Sequence, residues 1–404
     1  MVPFFITNPL QKLRQLTRCW SRGSKSAAPE APPAPQEEER LLPEPLNKPL
    51  IIEGPTISFR CDEEYYASDA EGGFCVFVVE DALFRVHKCY LLREPSVFAD
   101  MLSLPQESRD AAAIPLSDTA AQFRDLLWAI HAPPSKLRIH NAHSRDDVPI
   151  ERLLNIAELA IKYCISSYED WAIAKIYQLA DVRPSSLLRI ASPELCARTL
   201  YVSILSGHKP LRKLVEKHLV ASILWSADIE TRDIFGVAVY HNVHTVCGAI
   251  HYRYLLDHLK QAGPDDGRDA GNDPRPNFSS IVNTSQRKSM ELACSSLVAS
   301  LDQLSCNAPT LRDRLCPKHD GCVAAWTQLW IDANRDAQCS AGAGLQARVD
   351  ILGRLKAVAL YLRTTPGERR MSVTCTLTAL EAVVGLRDEI ISNLIHHFYA
   401  DESM

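Results

Sequence analysis

The chain has 404 residues, of which 46% are hydrophobic and 23% are charged, and its formal net charge at pH 7 is −5. This length and hydrophobic content are enough for two or three folded domains, because single domains typically contain about 100 to 200 residues. A net charge this small argues against a polybasic protein that binds nucleic acid directly and against a strongly acidic chain.

Thirteen cysteines are scattered along the chain. An odd number of cysteines, many of them within apolar helical stretches, is typical of thiols in a reducing compartment. No segment contains the ~20 apolar residues that a membrane-spanning helix needs, and the N-terminus lacks the apolar core of a secretory signal. We therefore expect an intracellular protein, cytoplasmic or nuclear, without membrane contacts. The basic N-terminus also has the composition of a mitochondrial presequence, but a basic disordered tail is the commoner interpretation.

Two segments of biased composition divide the chain. Residues 26–48 are dominated by Pro, Ala and Glu, and residues 262–280 by Gly, Pro and Asp. Neither composition can collapse into a packed core, so both segments indicate linkers. We therefore predict a disordered basic tail and linker over 1–56 and a second disordered linker over 261–280.

A β-hairpin is predicted near the start of the first folded region. Apolar residues occupy both faces of 75–79, Glu80-Asp81-Ala82 supplies a polar turn, and 83–87 has the pattern of a returning strand. Downstream, Ser96 is placed to cap a short helix, and Ile114-Pro115-Leu116 is short enough to be an edge strand.

Helical patterns dominate the chain from there on. A helix capped by Asp118 or Thr119 is predicted from a stripe of apolar residues with helical spacing, namely Phe123, Leu126, Leu127 and Ile130. Similar stripes predict helices over 150–164 and 169–181. Ser192-Pro193-Glu194 is a start signal for a further helix, since Ser is a favoured N-cap and Pro is favoured in the first turn.

The C-terminal part is predicted to contain further amphipathic helices. One of them begins after Gly344 and has its apolar face on Leu345, Val349, Leu352 and Leu355. Together these patterns predict an α+β chain. A short mixed sheet flanked by helices occupies 57–182, an all-helical extension follows at 183–260, and a separate helical C-terminal region covers 281–404.

The predicted sheet region resembles a known family. The segments that carry the resemblance are Phe77-Val78-Val79, Leu83-Phe84-Arg85-Val86-His87-Lys88, Leu91-Leu92, Ser96-Val97-Phe98, Ile114-Pro115-Leu116-Ser117-Asp118, Phe123 with Leu126-Leu127, and Leu159-Ala160-Ile161-Lys162-Tyr163. In this order they resemble the BTB/POZ domain over 57–182. Leu104-Pro105-Gln106 and the segment 126–130 are also similar to the uncharacterised BTB proteins that are expanded in mushroom-forming fungi.

The resemblance implies a protein–protein interaction module that commonly forms a homodimer and joins a partner to a transcriptional or ubiquitin-ligase assembly. By matching position, it implies partner contacts at Phe74, Val86, His87, Lys88, Leu102, Leu104 and Glu107. The chain departs from the family at two of these positions. Phe74 stands where many members have an Asp that pairs with the basic residue at Lys88. Leu104 lies one residue too early for the hydrophobic-x-Glu motif of cullin-recruiting members, whose Glu corresponds to Glu107.

A second set of residues has the side chains that zinc prefers. Cys316 and Cys322 flank His319 in a C-x2-H-x2-C arrangement, with Cys306 upstream and Cys339 downstream. Structural zinc usually takes four ligands as two short-range pairs, and a second matched pair is missing here. Ordinary thiols packed near tryptophans are therefore the favoured interpretation, and we predict neither a bound metal nor a cofactor.

No catalytic or phosphate-binding signature is found: the chain has no G-x-S-x-G, no P-loop, no G-x-G-x-x-G and no H-E-x-x-H. We therefore predict that the chain is not an enzyme but a partner-binding protein, a self-associating scaffold or a transcriptional or regulatory adaptor. The alternatives are a substrate adaptor that binds a cullin scaffold in a ubiquitin ligase, and a small metal-binding regulatory protein.

Overall fold

The structure is a computed structural model, and it describes residues 59–66, 73–104, 113–133, 137, 148–181, 188, 191–226, 229–261, 283–312, 316–341, 344–364 and 371–399. The predicted tail and linker at 1–56, nearly all of the predicted linker at 261–280, and Glu107 lie outside these residues. All of the described residues belong to one compact unit, which spans Ile57–Met404.

A four-stranded mixed sheet forms the N-terminal part. Its strands are β1 (Arg60–Tyr66), β2 (Phe74–Val79), β3 (Ala82–His87) and β4 (Ile114–Leu116), arranged in the order β1-β3-β2-β4. Strands β2 and β3 pair antiparallel with Cys75 opposite Val86, whereas β4 runs parallel to β2 and β1 runs parallel to β3. The predicted hairpin and the predicted edge strand β4 are confirmed. Strand β1 is an addition that the sequence patterns did not predict.

Helices pack around this sheet, namely α1 (Lys88–Leu91), α2 (Val97–Ser103), α3 (Ala120–His131), α4 (Ile150–Lys162) and α5 (Ser166–Asp181). The Ser96 hydroxyl accepts a hydrogen bond from the Ala99 N–H at 3.2 Å and so caps α2 as predicted. Thr119 caps α3 and forms a reciprocal capping box with Gln122, which satisfies two backbone donors at the start of the helix.

Four fully buried phenylalanines, Phe77, Phe84, Phe98 and Phe123, form the centre of the core between sheet and helices. The ring centroids of Phe84 and Phe123 lie 5.0 Å apart, and those of Phe77 and Phe123 lie 5.4 Å apart, both with edge-to-face geometry. This geometry is favoured between aromatic rings and adds to the free energy gained by burying them. The core therefore locks α3 onto the β2–β3 hairpin.

The helices that follow the sheet region are α6 (Pro193–Leu205), α7 (Lys209–Trp225), α8 (Arg232–Tyr240), α9 (His244–Gln261), α10 (Thr284–Cys306), α11 (His319–Ala341), α12 (Leu345–Val349), α13 (Ile351–Thr364) and α14 (Val373–Asn393), and a 3-10 helix at Leu394–His397 completes the series. The start of α6 at Ser192-Pro193 is as predicted. The predicted helix through Leu345 and Leu355 is instead divided at Asp350 into α12 and α13.

Helix α9 belongs to two hydrophobic cores. Its Val246 and Ala249 pack with α4 to α8, whereas its Tyr252 and Leu255 pack with the C-terminal helices α10 to α14. The C-terminal 3-10 helix lies against the same α9, since a Cβ on Gly248 would come within 2.7 Å of the Ile395 backbone nitrogen. The helices on either side of the predicted boundary near residue 260 are thus in direct contact, and their folding as separate domains stays a prediction.

The α+β class predicted from the sequence is confirmed, with a small sheet in a mostly helical chain. Within the parts of the chain that the structure describes, none of the helices combines the length and the hydropathy required to span a bilayer.

Candidate functional sites

An open groove lies at one end of the sheet, between the end of β1, the ends of β2 and β3, α1 and the C-terminus of α3. Its volume is about 800 Å³. Aromatic and histidine side chains dominate its lining, chiefly Tyr65, Phe74, His87, Tyr90, Trp128 and His131. We call this feature the aromatic groove.

The rings of the aromatic groove form a nearly continuous row. Phe74 and His87 have ring centroids 5.0 Å apart, and His87 and Tyr90 are 6.4 Å apart. Tyr90 is 4.3 Å from His131, which in turn is 5.4 Å from Tyr65. Side chains from three strands and two helices therefore present one aromatic surface, and their mutual contacts hold it in a defined shape.

Backbone hydrogen bonds orient both histidines of the row. The His87 Nδ1 accepts a hydrogen bond from the Cys89 N–H at 3.2 Å, so this side chain caps α1. The His131 Nδ1 lies 2.8 Å from the Leu127 carbonyl oxygen, to which only a protonated Nδ1 can donate. Gly73, just before β2, has φ +109°, a backbone conformation that favours glycine. A Cβ there would also lie 3.1 Å from the His87 Nε2, so the contact with His87 favours glycine as well.

The aromatic groove carries charges of both signs. The Arg85 guanidinium lies 5.2 Å from the centre of the Phe74 ring, within the range of a cation–π interaction. The acid is Glu64, whose carboxylate accepts a hydrogen bond of 2.8 Å from the Tyr65 hydroxyl. Burial, together with this hydrogen bond to Glu64, raises the pKa of Tyr65 well above its usual value. The tyrosine therefore stays a neutral donor at physiological pH.

Four of the seven residues predicted to contact partners lie at or beside this groove. Phe74, Val86 and His87 line it, although Val86 is only 2% exposed and serves mainly as core. Lys88 is the first residue of α1, and its N–H donates to the Gly73 carbonyl oxygen at 2.7 Å. No ion pair of Lys88 is found within the described ranges.

The other three predicted partner residues are not part of the groove. Leu102 is half-buried and packs against the phenylalanine core. Leu104, just after α2, is 65% exposed. Glu107 lies outside the described residues. The structure thus places Leu104 as an exposed apolar side chain that is not among the residues lining the aromatic groove.

The sequence patterns missed Tyr65, Tyr90, Trp128 and His131 as candidate site residues. These four positions come from β1, α1 and α3, so no single window of the sequence contains them together. Only the adjacent pair Tyr65-Tyr66 gives a local signal, because two neighbouring aromatic residues after an acidic run are unusual for a plain surface strand.

A second candidate site lies among the C-terminal helices. The sulphur atoms of Cys316, Cys322 and Cys375 all lie within 4.8 Å of one another, and we call them the thiol cluster. Cys316 precedes α11, Cys322 lies in the first turns of α11, and Cys375 is the third residue of α14. The His319 Nδ1 is 3.8 Å from the Cys375 sulphur.

Ser372 connects the members of the thiol cluster. Its hydroxyl accepts from the Cys375 N–H at 3.2 Å, which caps α14, and lies 3.4 Å from the Cys316 sulphur. Its own N–H donates to the Cys322 sulphur at 3.4 Å. The hydrogen bond from Ser372, followed by that from the Lys318 backbone, lowers the pKa of the Cys316 thiol below its usual value.

The cluster differs from the set that the sequence suggested. Cys316, His319 and Cys322 lie together as their spacing implies, and Cys375 joins them from a helix more than fifty residues away. Cys306 and Cys339 are exposed and are not members. The second matched pair that was missing in the sequence is thus replaced by a single distant cysteine.

No family model, no curated protein and no solved structure matches this chain.

Proposed function

We propose that this chain is an intracellular protein–protein interaction protein, a scaffold or regulatory adaptor, whose BTB/POZ-like domain self-associates through the aromatic groove. The observation that carries the proposal is the aromatic groove. It has a volume of about 800 Å³, lies at one end of the sheet and is lined by a row of aromatic and histidine rings. The intracellular location is part of the same proposal, since the described cysteines form no disulfide.

Contacts between the segments that resemble the BTB/POZ family support the domain assignment. Asp118 accepts hydrogen bonds from the Lys162 ammonium, at 2.5 Å, and from the Tyr163 hydroxyl. The Phe98 ring stacks on the Tyr163 ring with centroids 4.2 Å apart. The residues that carry the resemblance in three separate segments therefore pack on one another, as residues that specify a common fold would.

The element order supports the assignment as well. From β2 onwards the chain runs strand, turn, strand, two short helices, short strand, long helix and then further helices, which follows the order on which the resemblance rests. Strand β4 returns parallel to β2 on the far side from β3, so the hairpin lies inside the sheet. The extra strand β1 adds an edge beside β3 and supplies Tyr65 and Glu64 to the groove.

The chemistry of the groove favours a protein surface as its occupant. Tyrosine, tryptophan and arginine are the residues that contribute most to protein–protein binding free energy, because they offer a large area with few rotatable bonds. The groove contains all three types, at Tyr90, Trp128 and Arg85. It is also an open groove rather than an enclosed cavity, which suits an adjoining protein surface better than a small molecule.

We identify the occupant as a second copy of the chain. A two-fold interface presents the same patch twice, so it must be self-complementary in charge as well as in shape. The lining of the aromatic groove includes an acid, Glu64, and a base, Arg85, so each copy brings both signs of charge to a two-fold interface in which unlike charges can be opposed.

Light scattering on the full chain across a concentration series tests the proposal. We expect a dimer whose fraction rises with concentration. The variant Cys89→Glu changes an exposed residue that lines the groove, and in a two-fold interface it places an added, unpaired negative charge from each copy in the contact. We expect its dissociation constant to rise about tenfold or more, a loss of roughly 1.4 kcal/mol.

The matched control is Cys339→Glu, which places the same charge on an exposed cysteine of α11 outside the groove. This variant is expected to dimerise like the unchanged chain. A monomer at every concentration contradicts self-association, and a dimer that Cys89→Glu and Cys339→Glu affect equally contradicts the assignment of the interface to the groove.

One observation favours a second function, that of an adaptor for a cullin-type ubiquitin ligase. Leu104 is a large apolar side chain that is 65% exposed directly after α2, one residue before the position at which cullin-recruiting members carry their hydrophobic contact. An isolated exposed leucine contributes little to stability, so Leu104→Ala should leave folding unchanged. If the adaptor function applies, purified cullin scaffold binds the full chain and Leu104→Ala weakens that binding; no binding to the unchanged chain rejects it.

A further inference from the structure

We propose that Cys316, His319, Cys322 and Cys375 bind one Zn²⁺ ion in a four-coordinate structural site that ties the start of α11 to the start of α14. This site is independent of the aromatic groove and of the self-association proposed for it.

The spacing of the three sulphurs is close to that of tetrahedral zinc, and an imidazole lies beside them. With Zn–S bonds of about 2.3 Å, two thiolate sulphurs on one zinc ion lie about 3.8 Å apart. The Cys316 and Cys322 sulphurs are 3.8 Å apart, and the three sulphurs of the thiol cluster lie within 4.8 Å of one another. An imidazole nitrogen and a sulphur on the same ion are separated by about 3.5 Å. The His319 Nδ1 is 3.8 Å from the Cys375 sulphur, which makes His319 the candidate for the fourth ligand once its side chain turns towards the ion.

Local geometry explains how two helices deliver these ligands. His319 and Cys322 are three residues apart in α11, so both side chains project from the same face of its first turn. Cys375 lies in the first turn of α14, where the Ser372 cap holds the helix start in place. Cys316 reaches the same point from the turn that leads into α11. Helix starts are rigid, and rigid elements position metal ligands more accurately than loops do.

The surroundings favour thiolates at this point. The N-termini of α11 and α14 both lie at the thiol cluster, and a helix N-terminus stabilises nearby negative charge. The Ser372 N–H donates to the Cys322 sulphur at 3.4 Å, and the Ser372 hydroxyl is 3.4 Å from the Cys316 sulphur. Donors that hydrogen-bond to ligand sulphurs are the usual outer contacts of zinc–thiolate sites, where they orient the ligands.

A bound zinc ion explains why these four side chains lie at one place better than packed thiols or a disulfide would. Cys322 and Cys375 are buried at the edge of the C-terminal core, and Cys316 packs against that core. A disulfide between any two of the three cysteines leaves the third sulphur and His319 without a role. A zinc ion uses all four side chains and links residues that are more than fifty positions apart, and its binding free energy stabilises the folded chain.

Metal analysis of the full chain, purified with reductant and dialysed against metal-free buffer, is the first test. We expect about one zinc per chain. Cys375→Ser is expected to lower the zinc content at least tenfold, because it removes a ligand from the second helix. The matched control Cys339→Ser changes an exposed cysteine of α11 that lies outside the cluster and should keep its zinc.

Cobalt substitution keeps the test valid should Cys375→Ser fail to fold. Co²⁺ added to the zinc-free, unchanged chain should give the intense visible bands of a tetrahedral thiolate site, and one equivalent of Zn²⁺ should abolish them. In His319→Ala, water replaces the imidazole, so these bands should shift while the charge-transfer absorption of the three thiolates remains.

Three results overturn the proposal. An unchanged chain with neither zinc nor cobalt bands shows that the cluster does not bind metal. Full zinc content in a folded Cys375→Ser variant shows that Cys375 is not a ligand. A mass two hydrogens lower than the reduced chain, found in the freshly purified protein without reductant and lost in Cys316→Ser, shows a disulfide instead.

Discussion

A methyl group added to Gly248 should destabilise the protein, although alanine favours helices over glycine. Gly248 lies within α9, where the C-terminal 3-10 helix crosses it. A Cβ at this position would be 2.7 Å from the Ile395 backbone nitrogen and 3.0 Å from the Leu394 Cβ. Since the nearest atom belongs to backbone, no side-chain rotation relieves the contact, and α9 and the 3-10 helix must move apart.

The expected magnitude follows from two opposing terms. Overpacking a well-packed contact costs typically about 1–3 kcal/mol, and a contact with backbone belongs to the upper half of that range. Replacing glycine by alanine inside a helix contributes about 1 kcal/mol in the opposite direction. We therefore expect Gly248→Ala to lower the free energy of unfolding by about 1–2 kcal/mol.

Urea unfolding followed by circular dichroism measures this difference, with Gly236→Ala as the matched control. Gly236 is also within a helix, α8, and a Cβ there meets no atom within 4 Å. The control should therefore raise the free energy of unfolding by about 0.5–1 kcal/mol. If Gly248→Ala is as stable as Gly236→Ala, the close crossing of α9 by the 3-10 helix is refuted.

Three further changes test other contacts. Tyr252→Phe removes the hydroxyl that donates to Asp350 at 2.8 Å and accepts from the Leu352 N–H at 3.2 Å. It should lower the free energy of unfolding in urea by about 1–3 kcal/mol. An unchanged urea midpoint contradicts these hydrogen bonds. Trp330→Ala should cost about 3–5 kcal/mol in the same assay, because Trp330 is fully buried; a cost below 1 kcal/mol contradicts full burial. Burial lowers the pKa of His218, so the unfolded chain binds more protons than the folded chain near pH 6, and stability falls as the pH drops below about 6.5. The variant His218→Gln should therefore lose less stability than the unchanged chain between pH 7 and pH 5. An equal loss in the two proteins refutes the contribution of His218.

Local patterns in the sequence were sufficient to predict much of the secondary structure. All four residues of the predicted stripe in α3, namely Phe123, Leu126, Leu127 and Ile130, are at most 2% exposed. The Ser96 cap and the hairpin of β2 and β3 also form as predicted. Helical spacing, capping and strand alternation involve residues within a few positions of each other, so a short window of sequence contains the whole signal.

Strand β1 shows where such windows fail. Its sequence, RCDEEYY, is mostly polar and has no alternation of apolar residues. Its buried Asp62 forms an ion pair of 2.6 Å with Arg124, and the Asp62 carboxylate also accepts from the Tyr65 N–H. A buried carboxylate is costly unless it is paired, and its partner here is supplied by α3, 62 residues away in the chain. No pattern within β1 contains that information.

The break between α12 and α13 has the same kind of cause. The apolar spacing from Leu345 to Leu355 continues without interruption, so the sequence predicts one helix. In the structure the Asp350 carboxylate accepts from the Gly353 N–H at 2.8 Å and from the Tyr252 hydroxyl, and so caps a new helix at that point. The tyrosine comes from α9, about a hundred residues earlier.

The sequence by itself thus determined the α+β class, most helices, the hairpin and the proximity of Cys316, His319 and Cys322, since each depends on neighbours along the chain. Only the tertiary structure decided which distant residues meet. It brought Cys375 to the thiol cluster and assembled the aromatic groove from β1, α1 and α3. Both sites depend on packing between separate helices and strands, which the spacing of residues along the chain does not record.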